Sequence, residues 1–171
     1  MQVKGPRGGF PTLAVMESVY HRILVAIDPE GVAEKALQHA LALAHAFEAQ
    51  VRLVYVIDPY GVDSARWTTP AGHEQALAEG RRKVGQMLAA KERAALDAGV
   101  HVEHAVLELD GGKDVSARLL ADAVQWRADL IVMGTHGRRG IERIALGSIA
   151  EGVVRSAAVP TLLVREPHPE H

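Results

Sequence analysis

Apolar residues along this chain fall into two alternating rhythms. Ile23 to Ile27, Val51 to Ile57 and Leu130 to Met133 are short, mostly aliphatic runs of the length that fills a strand buried on both faces. Val100 to Leu109 and Pro160 to Val164 complete a set of five expected strands, the last with its proline at the tolerated first position. Between the strands, apolar residues recur every three or four positions. Ala36, Leu37, Ala40, Leu41, Ala44 and Phe47 share one helical face, and Leu77, Val84, Leu88 and Ala95 mark a long helix over about 74–97. Val115, Leu119, Ala123 and Trp126 mark a third helix, while Ile149, Val153 and Ala157 are expected to face inward from a last one. Gly99 suits the end of the long helix, and Gly80 and Gly85 weaken its interior by about 1 kcal/mol each relative to alanine. Residues 58–72 are expected to form a surface loop.

This alternation predicts an α/β fold, a single-domain, doubly wound, five-stranded parallel sheet with helices on both faces. Ligands of such sheets bind beyond the carboxyl ends of the strands, where the strand order reverses. The order itself is not contained in the periodicity.

The stretch with the most chemistry in it is 129–148. A buried strand stops at Gly134, three more glycines follow at Gly137, Gly140 and Gly147, and Ser148 opens a helical segment. Glycine permits positive φ and close approach of backbone to a ligand. A helix start offers unpartnered N–H groups and the positive end of the dipole. Gly134, Gly137, Gly147 and Ser148 make G-x2-G-x9-G-S. That is neither the Walker pattern nor the dinucleotide fingerprint.

The loop, with its flanks Ala128 to Arg138 and Gly147 to Val154 and the first strand Arg22 to Asp28, resembles the ATP-binding branch of the universal stress protein family over roughly residues 20–166. The resemblance implies strand order 3-2-1-4-5, which sets Asp28 beside Gly134. It implies ATP as ligand, with Mg²⁺ or Mn²⁺ on the phosphates, and a homodimer in which fifth strands, around Thr161 to Val164, pair across a two-fold axis.

Composition narrows the function class. At 171 residues the chain has the size of one domain with a proper core. Aromatic residues are only 4% against 48% apolar, so that core must be aliphatic. A net charge of −2 argues against a nucleic-acid binder driven by overall charge. The absence of cysteine removes disulfides, thiolate catalysis and cysteine metal sites. No apolar run approaches the roughly 20 residues of a membrane span, and a cytoplasmic location is expected. Residues 1–19 are expected to be a flexible extension or a leader foreign to the natural chain, and 167–171 a loose tail. An arm docking on a partner subunit is the alternative for the first 15.

Each candidate residue has a plain structural reading beside the functional one. Asp28 either accepts the ribose hydroxyls or caps the following helix, and the resemblance favours the ribose. Gly134 and Gly137 either let the loop wrap the sugar and first phosphates or are ordinary turn glycines. Gly147 and Ser148 would offer N–H groups and a hydroxyl to the outer phosphates, although Ser148 also suits a simple N-cap. Ile149 completes the set at the helix start. Arg138 is a phosphate partner or a solvated loop charge, and Arg139 a weaker case of the same. Val51 and Met133, and Ala26 through its backbone, are candidates for an adenine slot, which the resemblance promotes over plain core. In related proteins a residue matching Val51 touches the base. Two features depart from the family pattern: Glu30 stands where a small or hydroxyl residue is common, and Pro29 stiffens that turn. Neither His39 with His45 nor His101 with His104 has the spacing of a zinc pair. His136 lies inside the loop, where a solvent-facing side chain is expected.

The expected role is therefore a nucleotide-dependent binding module rather than an enzyme. The alternatives are a slow ATPase or related ATP-using enzyme, and a structural dimer that binds no nucleotide. The ATP-pyrophosphatase variant lacks support, because Asp28-Pro-Glu-Gly31 contains no serine.

Overall fold

The computed structural model describes residues 18–28, 32–59, 69–109, 114–135 and 146–165. Strands and helices alternate: β1 (Arg22–Ala26), α1 (Val32–Phe47), β2 (Gln50–Ile57), α2 (Pro70–Asp97), β3 (Val102–Glu108), α3 (Val115–Trp126), β4 (Leu130–Thr135), α4 (Ser148–Ser156) and β5 (Thr161–Arg165). The five strands form one sheet in the order β3-β2-β1-β4-β5, and all four pairings are parallel.

Side chains of a strand alternate between faces, and the core divides accordingly. Ile23, Val25, Val51, Leu53, Leu130 and Val132 pack with Ala36, Leu37 and Ala40 of α1 and with Leu88 and Ala95 of α2. On the other face Leu24, Val54, Ile131 and Met133 meet Leu119, Ala123 and Trp126 of α3 and Ala150 and Val153 of α4. Helices therefore cover both faces. Every interior strand carries residues with no exposed surface, among them Leu24, Leu53 and Val132. That is why these segments appear as unbroken apolar runs rather than as an alternating pattern.

Several boundaries move from their expected places. The helix α2 begins at Pro70, four residues before its expected start at about 74, because Thr69 caps it by accepting from the Gly72 N–H at 3.2 Å and proline occupies its first turn. At its other end Gly99 has φ +81, and the N–H groups of Gly99 and Val100 bond to the carbonyls of Leu96 and Ala95. This left-handed exit takes Val100 and His101 out of the expected third strand. The strand β4 runs two residues further than its apolar run, because Gly134 and Thr135 pair with Val164 and Arg165 of β5. Ile149 does not face inward: it is 37% exposed, and Ala150 and Val153 hold the buried side of α4.

Polar contacts secure the end of the sheet where the strands begin. Asp129 accepts from the backbone N–H groups of His21 and Arg22 at 2.8 and 3.0 Å. Arg52 makes a two-pronged contact to Asp122, at 2.9 and 3.2 Å, and a further one to Glu103. Arg22 and Arg52 both lie against the Trp126 ring. Burial alone would lower the Arg52 pKa, but the hydrogen bonds to Asp122 and Glu103 more than offset it and hold the guanidinium above its ordinary value. Ser18 also belongs to the packed body, since its hydroxyl donates to the Phe47 carbonyl at 2.8 Å. Residues 1–17 of the expected leader, and the tail 167–171, lie outside the described residues.

Candidate functional site

The sheet opens between β1 and β4 at one defined place. Their pairing ends with Ala26 opposite Met133. The β1–β2 ladder ends at the same residue, its last bond running from the Ile27 N–H to the Val54 carbonyl at 2.8 Å. Gly134 and Thr135 continue instead on the side of β5. The two chains then leave toward opposite faces, because α1 packs on one and α4 on the other. A crevice between diverging strands at their carboxyl ends is where doubly wound sheets bind ligands.

Four of the candidate residues border this opening on the strand side. Ala26 and Met133 are register partners with their side chains on the face covered by α3 and α4. Asp28 follows β1 and is half-buried. Gly134 lies inside β4 rather than in a loop. Gly137 and Arg138, with Arg139, His136, Pro29 and Glu30, fall outside the described residues.

The start of α4 contributes from the other side. Because β4 and β5 are parallel, α4 returns from the carboxyl edge to the amino edge, and its N-terminus stands at the carboxyl edge. Gly147 is the N-cap, with φ +73 and ψ 142. An L side chain rarely adopts this φ, so the glycine is required by conformation. Its carbonyl accepts the first helical bond from Glu151 at 2.9 Å. Ser148 is therefore the first residue of the helix and not its cap, which leaves its hydroxyl uncommitted to capping. Gly147, Ser148 and Ile149 are all exposed, as donors to an incoming anion must be.

Val51 is not at this edge. It is the second residue of β2, pairs with Ile23 and Val102 at the amino edge, and has no exposed surface. In a parallel sheet all strands enter at one edge, so a residue near a strand's start cannot reach the ligand edge. Val56 holds the corresponding place. It lies at the carboxyl end of β2 and packs, like Ala26 and Met133, against the core beneath α3 and α4. A signal for it exists in the chain: Ile27-Asp-Pro29 and Ile57-Asp-Pro59 end their strands alike, which equates Ala26 with Val56.

Two further residues escaped the sequence reading. Tyr55, on the opposite face of β2, is half-buried against the core of α1 and α2. Burial first, and then the negative charge of Asp28, raise its phenol above the usual value, so it stays protonated at neutral pH. Gly152 of α4 sits over the first turn of α3. A β-carbon there would lie 2.5 Å from the Ser116 Oγ and 2.8 Å from its Cβ. Ser116 is itself held by a hydrogen bond to Asp114. Gly152 thus permits the close approach of α4 to α3. A glycine inside a helical pattern was the available sign.

At the far side of the edge, Arg118 donates to the Glu108 carbonyl at 3.2 Å, and Arg81 of α2 pairs with the Glu108 carboxylate. Among the described residues no group of three or more His, Cys, Asp or Glu side chains is arranged to hold a metal ion. No helix among them is long and apolar enough to cross a membrane.

Comparison with known proteins agrees with this architecture. A family model described as the universal stress protein family matches residues 19–165. A universal stress protein of Methanocaldococcus jannaschii is 35% identical over 156 residues, covering 90% of this chain and 87% of the relative. A crystal structure of a protein from the same family, from Burkholderia pseudomallei, is 33% identical with a TM-score of 0.65, over 86% of this chain and 97% of that one. The fold also matches a universal stress protein from Archaeoglobus fulgidus solved in complex with dAMP. That protein has a TM-score of 0.57 and 23% identity, over 85% of this chain and 98% of that one.

Proposed function

The chain belongs to the universal stress protein family, and we propose on that premise that it is an adenine-nucleotide-binding regulatory module. The observation that carries the proposal is the meeting of two features at one edge. The sheet parts after Ala26 and Met133, and the helix facing that opening begins at a glycine whose φ of +73 suits no other residue well. Gly147, Ser148 and Ile149 then present a polyanion with exposed helix-start N–H groups. Asp28 accepts the ribose hydroxyls. Ala26, Met133 and Val56 form the apolar side against which a purine rests. Gly134 brings β4 to the sugar, and Gly137 and Arg138 are assigned to the phosphates on their place in the sequence. The dAMP complex of the Archaeoglobus fulgidus relative supports an adenine nucleotide as the ligand class.

Within that class we assign ATP, with Mg²⁺ or Mn²⁺ held by the phosphate oxygens. Nucleotide occupancy acts by shifting the population of partner-competent states rather than by rapid turnover. The module acts in the cytoplasm as a homodimer through β5. That strand is an edge of the sheet, and its Leu162 and Leu163 are partly exposed, which makes it a surface that seeks a partner.

The test is direct. Purified protein is denatured and the released small molecules are identified by mass spectrometry, and Gly147→Glu is titrated with ATP beside the parent. Stoichiometric ATP from the parent, and loss of binding in a variant of unchanged circular dichroism, are the expected results. ATP binding by Gly147→Glu at parental affinity would reject the site.

A further inference from the structure

The edge contains a residue that the nucleotide reading does not use. Tyr55 stands one position before Val56, on the face covered by α1 and α2, where it packs against the core and remains half-buried. The Ile27 N–H donates to the Val54 carbonyl at 2.8 Å. This bond is the last of the β1–β2 ladder, so Asp28 emerges alongside Tyr55 and Val56. The helix α1 starts four residues after Asp28, on the same face as Tyr55. Phenol and carboxylate are close enough for the charge of Asp28 to act on the hydroxyl.

Resting on the reading of Asp28 as the ribose acceptor, we propose that Tyr55 is a positioning residue of the nucleotide site. In the loaded site its hydroxyl donates to the Asp28 carboxylate and turns the remaining lone pairs toward the ribose 2′- and 3′-hydroxyls. The chemistry suits the task. An ionised carboxylate has about four lone-pair sites and no donor of its own, so it has no fixed preference for a ligand's direction. A neighbouring O–H that occupies one of them fixes the orientation of the others. A phenol serves better than an aliphatic hydroxyl here, because its ring is packed into the core and the oxygen is delivered at the end of a rigid arm. Phenylalanine at this position keeps the ring and its packing and removes only the donor.

The prediction is a change in ribose selectivity, which a purely structural role for Tyr55 would not produce. The full-length parent, Tyr55→Phe and Asp28→Asn are titrated by calorimetry with Mg²⁺-ATP and with Mg²⁺-2′,3′-dideoxy-ATP. Tyr55→Phe is expected to weaken ATP about five- to tenfold, the scale of one lost hydrogen bond. It should leave dideoxy-ATP within about twofold of the parent, the scatter expected for uncoupled groups. Equal losses on both ligands, or none on either, overturn the proposal. If Asp28→Asn lowers the preference for ATP over dideoxy-ATP while Tyr55→Phe does not, Tyr55 is rejected and the nucleotide reading stands. A parent that binds neither ligand rejects both.

Discussion

Consider replacing Gly152 with alanine. In an unconstrained helix interior this substitution stabilises by about 1 kcal/mol, because alanine loses less backbone entropy than glycine. In α4 the added carbon meets Ser116, at 2.5 Å from its Oγ and 2.8 Å from its Cβ. The hydroxyl can rotate away, at the expense of its bond to Asp114. The Cβ cannot move without α3 moving with it. Overpacking of this kind costs about 1–3 kcal/mol. With a contact this short the upper part of that range applies, and the net effect is a destabilisation of about 1–2 kcal/mol after the propensity gain. Gly85→Ala in α2 is the internal control, since nothing lies within 4 Å of its added carbon. There the same chemical change should stabilise by about 1 kcal/mol. Urea denaturation of the parent, Gly152→Ala, Gly85→Ala, Ser116→Gly and the double variant Gly152→Ala/Ser116→Gly reads all of this from the midpoints, provided the slopes agree. Ser116→Gly has its own cost of about 1 kcal/mol in α3, so the comparison is with that single variant: adding Gly152→Ala to it should cost little, because the Ser116 Oγ and Cβ that crowd the alanine are gone. A neutral or stabilising Gly152→Ala would refute the close approach of α3 and α4. Failure of Ser116→Gly to rescue it would refute Ser116 as the cause.

Other perturbations test separate parts of the fold. Arg52→Ala should destabilise by about 3 kcal/mol, since it strands the buried Asp122 carboxylate, 3% exposed, beneath α3. The pair change Arg52→Leu/Asp122→Leu should recover much of that in the same denaturation assay. Thr69→Ala removes the cap of α2 and should cost about 1 kcal/mol, read as a lower thermal midpoint. Arg127 ends α3 in the left-handed region at φ +58. Arg127→Gly should relieve about 1 kcal/mol of that strain and raise the midpoint, and a lowered midpoint would show that its side chain matters more than its backbone.

Much of this molecule is legible along the chain. Aliphatic runs without alternation identify strands covered on both sides, and the three- and four-residue spacing of Ala36 to Ala44 identifies α1, because those patterns are local consequences of burial. Gly147 and Ser148 mark a candidate anion site for an equally local reason: a positive φ and a helix start are properties of consecutive residues. What happens between segments is absent from such patterns. Whether Gly134 and Thr135 belong to loop or strand depends on β5, whose Val164 and Arg165 continue the ladder. Ile149 and Val153 fit one helical stripe equally well, but only the position of α3 decides that Ala150 and Val153 are covered and Ile149 is not.

The proposed adenine slot makes the same point most sharply. Val51 and Val56 are both valines of β2, indistinguishable by hydrophobicity, yet the direction in which the sheet runs puts one at the amino edge with no exposed surface and the other at the carboxyl edge. The role proposed for Tyr55 depends on Asp28 and the packing of Gly152 on Ser116, residues 27 and 36 positions away along the chain. Backbone conformation and burial pattern are written in neighbouring residues, so the sequence alone determined the elements and the kind of site proposed for them. Proximity across the sheet arises only when the chain closes on itself, so the tertiary structure decided which side chains share that site.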